Sequence, residues 1–169
     1  MPLTSDIIKQ KTREAIQNFL ETEPRLVSAR LSERTIAAAL IRHIRESFGS
    51  EYNVDVEWDR HGTRQKTVDG KPIFADLLVH SRFSDRDNTL CVELKQPGKP
   101  VGGDKDRLRA MTNPRHLPLE ERFGYQCGLF LKFMRTPSGR VYAKLDWFRD
   151  GAQDGDEEKL FAEHHVMEV

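Results

Sequence analysis

The stretch PIFADLLVH (72–80), followed after a polar turn by TLCVELKQ (89–96), decides how this chain is read. Both runs are apolar and carry β-branched residues, and both are bounded by turn-forming residues, so each is expected to be a strand. Side chains alternate across a strand. Asp76 therefore shares a face with Phe74, Leu78 and His80, while Glu93 and Lys95 share a face and Leu90, Val92 and Leu94 take the other. If the two strands pair as a hairpin, Asp76 and Glu93 meet on one face beside Lys95. Ionised groups in a partly apolar sheet centre are costly unless they pair or bind a metal. Two carboxylates completed by water and phosphate oxygens are a usual way to hold magnesium, and a neighbouring lysine can stabilise charge on a reacting phosphate.

Outward from this pair, residues 5–22 have helical spacing at Ile8, Thr12, Ala15, Ile16, Phe19 and Leu20, with Ser5 as N-cap and Pro24 after the end. Residues 33–48 repeat the pattern at Ile36, Leu40, Ile44 and Phe48, with Ser32 as N-cap, Leu31 and Ile36 as a staple, and Gly49 as the stop. YNVDVEWD (52–59) alternates as a strand, with Asp55, Glu57 and Asp59 on a solvated face, and the pair Asp69-Gly70 marks a turn. SRFSDRDN is the loop between the two deciding strands, PGKPVGG (97–103) is a further loop, and DKDRLRAMT (104–112) is a short helix with Leu108 and Met111 inward. YQCGLFLKFM (125–134) and RVYAKLDWF (140–148) are strands, and the acidic tail from 150 contains a helical turn or two around Glu157–Glu163. The order α-α-β-β-β-α-β-β predicts one α/β (α+β) domain over 1–169 with a core at about 31–149. Its centre is a mixed sheet of about five strands flanked by helices, with 89–133 forming a crossover between parallel neighbours.

The spacing E-x-K alone says little: 14 glutamates and 10 lysines make about one occurrence expected by chance, and there are two. Glu157-Glu158-Lys159 lies in the polar tail and reads as a solvated helix face. Glu93-Leu94-Lys95 is framed by Leu90, Cys91 and Val92 and preceded by the Asp-bearing strand. This bipartite pattern resembles the active-site motif of the PD-(D/E)XK, or restriction-endonuclease-like, nuclease superfamily. Asp76 matches its first acid, Glu93 its second and Lys95 its lysine; Ala75 stands where many members have a proline that does no chemistry. The order of flanking elements over roughly 33–133 is similar too.

The resemblance implies a restriction-endonuclease-like core and a metal-dependent nuclease, with DNA ahead of RNA as substrate. Asp76 and Glu93 would hold Mg²⁺ (Mn²⁺ substituting), with the Leu94 backbone carbonyl as a further ligand, and Lys95 would position the attacking water. Members often carry a glutamate on the preceding helix directed at the metal. Glu33, seven residues before Leu40, fits that role and equally fits a complement to the helix dipole. Gln96 could bond a phosphate or a base, or have no role.

Lys99, Lys105, Arg107, Arg109, Arg115 and Lys132 around the E-x-K strand, and Arg60, Arg64 and Lys66 elsewhere, are candidate phosphate contacts or ordinary surface charge. Among histidines, His80 could touch substrate from Asp76's face, while His164-His165 reads as a tail pair. Asp104 counts against a phosphate at the 104–112 helix terminus. The bulk numbers constrain the reading. Lys and Arg total 27, as do Asp and Glu, so bulk charge is not what holds nucleic acid. Cys91 and Cys127 lie in apolar runs without a metal spacing and read as buried thiols. No apolar run approaches membrane-spanning length and the N-terminus has no secretory pattern, so a cytoplasmic protein without a membrane partner is expected. Two rivals remain: a catalytically inactive nuclease-fold module that binds nucleic acid or a protein partner, and an unrelated α+β binding domain. A homodimer, or membership of a larger defence or repair complex, would suit double-strand cutting, and no residue tests that.

Overall fold

A computed structural model describes residues 3–29, 31–58, 60–61, 64–68, 70–82, 87–113 and 123–163, with backbone alone at 60, 61, 64 and 68. Asp59, Asp69, the loop residues 83–86, Arg115 and His164-His165, and the side chains of Arg60 and Arg64, lie outside the described residues.

The elements run α1 (Ser5–Thr22), α2 (Pro24–Ser28), α3 (Glu33–Phe48), β1 (Asn53–Val56), β2 (Arg60–His61), β3 (Arg64–Gln65), β4 (Thr67–Val68), β5 (Lys71–Pro72), β6 (Leu77–His80), β7 (Leu90–Lys95), α4 (Asp104–Thr112), β8 (Cys127–Arg135), β9 (Val141–Arg149), β10 (Ala152–Gln153) and β11 (Glu158–Phe161). Among the described residues this is a mixed α/β fold. A seven-stranded sheet is ordered β1-β6-β7-β8-β9, and β10 and β11 both pair with the outer edge of β9. The pairs β2-β3 and β4-β5 form separate two-stranded ribbons.

The sheet is larger than the five strands expected, because the tail does not form a helical turn. Lys159 and Leu160 pair with Lys144 and Ala143, Glu158 binds Arg13, and Phe161 stacks on Tyr142 with ring centroids 4.9 Å apart. Glu157-Glu158-Lys159 is thus a sheet edge fastened by ion pairs rather than a solvated helix face. Other corrections are local. Thr4, not Ser5, caps α1. Pro24 opens α2 instead of merely following α1, since proline's fixed φ suits a first helical position. The run 72–80 is strand only from Leu77; Lys71–Pro72 is drawn into the ribbon with β4.

The β6-β7 pairing is the expected antiparallel hairpin, with Leu77 opposite Val92 and Leu78 opposite Cys91. β7 and β8 are parallel neighbours, joined through α4. Alternation divides the sheet into two faces. Leu77, Val79, Leu90, Val92, Leu94, Leu129 and Leu131 pack under α1, α2 and α3 in one large apolar core. That core includes Ile8 to Leu20 and Ala162, so it reaches past 31–149 at both ends. Leu78, Cys91, Phe130 and Phe148 face the other way, under Leu108 and Met111 of α4. Gly128 lets α4 come down on this face: a Cβ there would stand 3.0 Å from Thr112 Cγ2 and 3.3 Å from Leu108 Cδ2. Cys91 and Cys127 are buried free thiols. Among the described residues no helix is long and apolar enough to cross a membrane.

Candidate active site

The α4 face of β6 and β7 carries the chemistry. Continuing the hairpin register by one residue sets Asp76 opposite Glu93, on the side away from the main core. Two contacts fix Asp76. Its carbonyl accepts the Glu57 N–H at 3.3 Å, and its Oδ2 accepts the Leu94 N–H at 2.7 Å. Glu57 has a left-handed φ of 52°, which turns the chain away just after this bond, where β1 ends.

Glu93 is 2% exposed, and its two oxygens accept both prongs of the Arg107 guanidinium at 3.0 Å. Arg107 also donates to Asp104, one turn earlier on α4. Lys95 Nζ is 2.7 Å from Asp104 Oδ2 and 3.8 Å from Glu33 Oε1. The Lys95–Asp104 contact is ionic, because Oδ2 receives no hydrogen bond of good direction. Glu33 Oε1 accepts the Gln96 N–H at 3.3 Å, so the first turn of α3 is tied to the end of β7. Glu33, Asp76, Glu93 and Asp104 thus gather round two cations, Lys95 and Arg107.

The charges bear the mark of this crowding. Burial is the largest influence on Glu93 and drives its carboxyl up; Arg107 pulls it back, Asp76 and Asp104 raise it again, and it stands at about 7. Burial likewise raises Asp76, against the pull of the Leu94 N–H and with Glu33 adding to the rise. For Lys95 burial acts downward, but Asp104, with Glu33 and Asp76 beyond, holds it above its ordinary value. Two desolvated carboxylates on neighbouring strands favour a cation or a proton between them.

The chain matches no family model, no curated protein and no solved structure.

The donor set fits a hard divalent cation, being oxygen throughout. Two observations bear on that fit. Gln96, 6% exposed, has a buried Oε1 without a hydrogen-bond donor beside the Glu33 rim. Against it, among the described residues no three carboxylates, histidines or cysteines converge on one point. Glu93 turns to Arg107, Asp76 to the Leu94 amide and Asp104 to Lys95. Both Glu93 oxygens are taken by Arg107, so an ion held by this pair would have to displace the guanidinium from at least one of them.

The expected contact residues separate. Lys99 is exposed and lines a cleft with Leu31, Ser32, Glu33, Gln96 and Pro97. Lys132 lies in register between Lys95 and Lys144 on the same face. Lys105 is occupied by Asp146 at 2.6 Å and Arg109 by Asp106 at 2.8 Å. Lys66, 1% exposed, is not a surface cation; its ammonium donates to the Trp58 carbonyl and the Tyr125 hydroxyl. Leu94 contributes its amide to Asp76, and its side chain lies in the opposite core.

Asp104 was not among the expected site residues, and Arg107 was expected only as a phosphate contact or ordinary surface charge. Their signal is the α4 stripe itself, since Asp104 stands four and seven residues before the inward Leu108 and Met111. A second polar group also departs from expectation. Asp55 is buried, not solvated: it accepts from His80 Nε2 at 3.0 Å and from both arms of Arg82, whose guanidinium lies over Trp58. His80 is spent on this contact at the sheet's other end.

Proposed function

We propose that this chain is a divalent-metal-dependent nuclease of the PD-(D/E)XK kind, with DNA ahead of RNA as substrate. The observation that carries the reading is the hairpin register, which sets Asp76 against Glu93 with Lys95 on the same face of the sheet. The succession α3, β1, β6, β7, α4, β8 supports a restriction-endonuclease-like core, since it follows the order that the motif's resemblance implies.

In this reading Asp76 and Glu93 are the ligands, joined by Glu33. A bound Mg²⁺ or Mn²⁺ supplies positive charge against that which builds on the phosphate during hydrolysis. Lys95, oriented by Asp104 and Glu33, directs its ammonium at the attacking water and the phosphate. Lys132 and Lys99 extend positive charge to either side for the nucleic-acid backbone. A neutral chain can still do this if a bound divalent ion offsets the site's four carboxylates, leaving Lys132 and Lys99 to face the phosphates.

A second reading has one observation in its favour. Arg107 satisfies both oxygens of Glu93 without any metal, as an inactive nucleic-acid-binding module would do. Incubation with labelled DNA and RNA in Mg²⁺, Mn²⁺ or EDTA separates them. Cleavage with a divalent ion and none in EDTA is expected. Binding of either nucleic acid with no cleavage in any metal would establish the inactive module instead.

A further inference from the structure

Arg107 stands where a cation is needed, yet it is not fixed there in the way its partner is. The Glu93 side chain is 2% exposed, whereas the Arg107 side chain is 36% exposed. Its fork bridges Glu93 and Asp104, which belong to different elements. Withdrawing the guanidinium alone would strand a buried carboxylate, and stranded buried charges are strongly destabilising. The exchange is favourable only if another cation takes its place at Glu93 and another anion receives the guanidinium. A divalent ion is the first. A phosphate of the nucleic acid, which arginine binds with the same two-pronged geometry as a carboxylate, is the second. Around the pair, acids outnumber cations, four carboxylates to two, and Gln96 Oε1 is buried without a donor.

We infer that Arg107 is a positioning residue that exchanges Glu93 for a phosphate of the incoming strand, so that the divalent ion and nucleic acid bind cooperatively. The inference rests on the proposed nuclease reading and adds an order of events: without nucleic acid Arg107 competes with the ion, and with nucleic acid it holds the substrate. By linkage, each ligand must tighten the other by the same factor. The effect protects against idle chemistry, since the ion is held well only when a phosphate is present.

The test is calorimetric titration of Ca²⁺ into the full chain, with and without a short DNA duplex. The Glu93→Gln variant serves as the blank for ions held by the duplex itself. Ca²⁺ affinity of the wild type is expected to rise about tenfold or more with duplex, within the usual range of such coupling. Arg107→Met, which removes the competitor, should bind Ca²⁺ tightly without duplex and show little further gain. Arg107→Lys, a cation without the fork, should keep part of the coupling. If Arg107→Met does not fold by circular dichroism, the wild-type comparison decides. Equal wild-type affinity with and without duplex overturns the exchange and leaves the nuclease reading standing. No Ca²⁺ bound by wild type beyond the Glu93→Gln blank, in either condition, overturns both.

Discussion

Asp55 and Glu93 are both buried carboxylates on the same face of one sheet, each gripped by both arms of an arginine, and their charges respond in opposite ways. Burial pushes Asp55 up, but Arg82 and His80 more than reverse it, leaving its carboxyl below the ordinary value. Burial pushes Glu93 up as well, and there Arg107 fails to reverse it. The difference lies in the neighbours. Asp55 is one acid among Arg82 and a histidine whose imidazole burial holds below its ordinary value. Glu93 shares Arg107 with Asp104 and faces Asp76, so its partner's charge is divided while repulsion is added. The Asp55 group is a structural clasp between β1 and the segment after β6. The Glu93 group sets four carboxylates around two cations and holds two of them above their ordinary values, a pattern more frequent at binding and catalytic sites than elsewhere.

The largest effects should come from breaking the crowded group. Lys95→Ala should lower cleavage by about 10² or more, the scale for one well-placed electrostatic group, with nucleic-acid affinity little changed. Excess Mn²⁺ should not restore it. Asp76→Asn should abolish cleavage through lost metal affinity, and excess Mn²⁺ should return part of it. Single-turnover rates across a metal series check both. Equal rescue of the two variants would remove the distinction between ligand and lysine.

Next in size is the clasp. Asp55→Asn leaves Arg82 and His80 without their carboxylate and should cost about 1–3 kcal/mol of stability. It should leave metal affinity unchanged, because Asp55 serves no part of the crowded group. Asp76→Asn should do the reverse. Asparagine keeps an acceptor for the Leu94 N–H and removes a desolvated charge, so thermal stability in EDTA should stay level or rise. Thermal melts of the two variants side by side check the sign, and a marked loss in Asp76→Asn would make Asp76 a structural acid as well.

Much of this frame is legible in the chain's periodicity. The period of two through 89–96 puts Glu93 and Lys95 on one face, and the stripe Ile36, Leu40, Ile44, Phe48 locates α3 with its Ser32 cap. What escapes the sequence is partnership across distance. Asp55 reads as solvated because its alternation with Val54 and Val56 is real, yet His80 and Arg82 come from 25 and 27 residues away to bury it. Asp104 reads only as an acid that would repel a phosphate at the helix terminus, and Arg107 as a phosphate contact or ordinary surface charge, because one turn of helix cannot reveal what faces it. The tail reads as helical because Glu157 and Glu158 suit a helix, and only the open edge of β9 draws Glu158–Phe161 into a strand. The smaller ribbons β2-β3 and β4-β5 have too few residues to show a period at all.

The finest contrast is in pH. A carboxyl whose folded value is raised contributes stability that is whole below its unfolded value and fades as pH rises through the folded one. For Glu93 that window runs from about 4.5 to about 7. Above it, folding carries a buried charge among Asp76, Asp104 and Glu33, offset by Arg107 and Lys95. Glu93→Gln imitates the protonated form at every pH. Its melting temperature, measured against wild type in EDTA, should therefore climb relative to wild type from pH 4.5 to 7 and hold level above about 8. Asp55 has the opposite sign. Its folded value is lowered, so its stability is present above the ordinary value of 3.8 and is lost as pH falls further. His80, held below its ordinary 6.5 chiefly by burial, adds a separate loss that begins as pH falls through 6.5. The deficit of Asp55→Asn against wild type should thus be full at neutral pH and shrink in acid, where Glu93→Gln shows its smallest difference. Parallel profiles for the two variants would mean that the two arginines hold their carboxylates alike, and the contrast between clasp and site would lose its electrostatic basis.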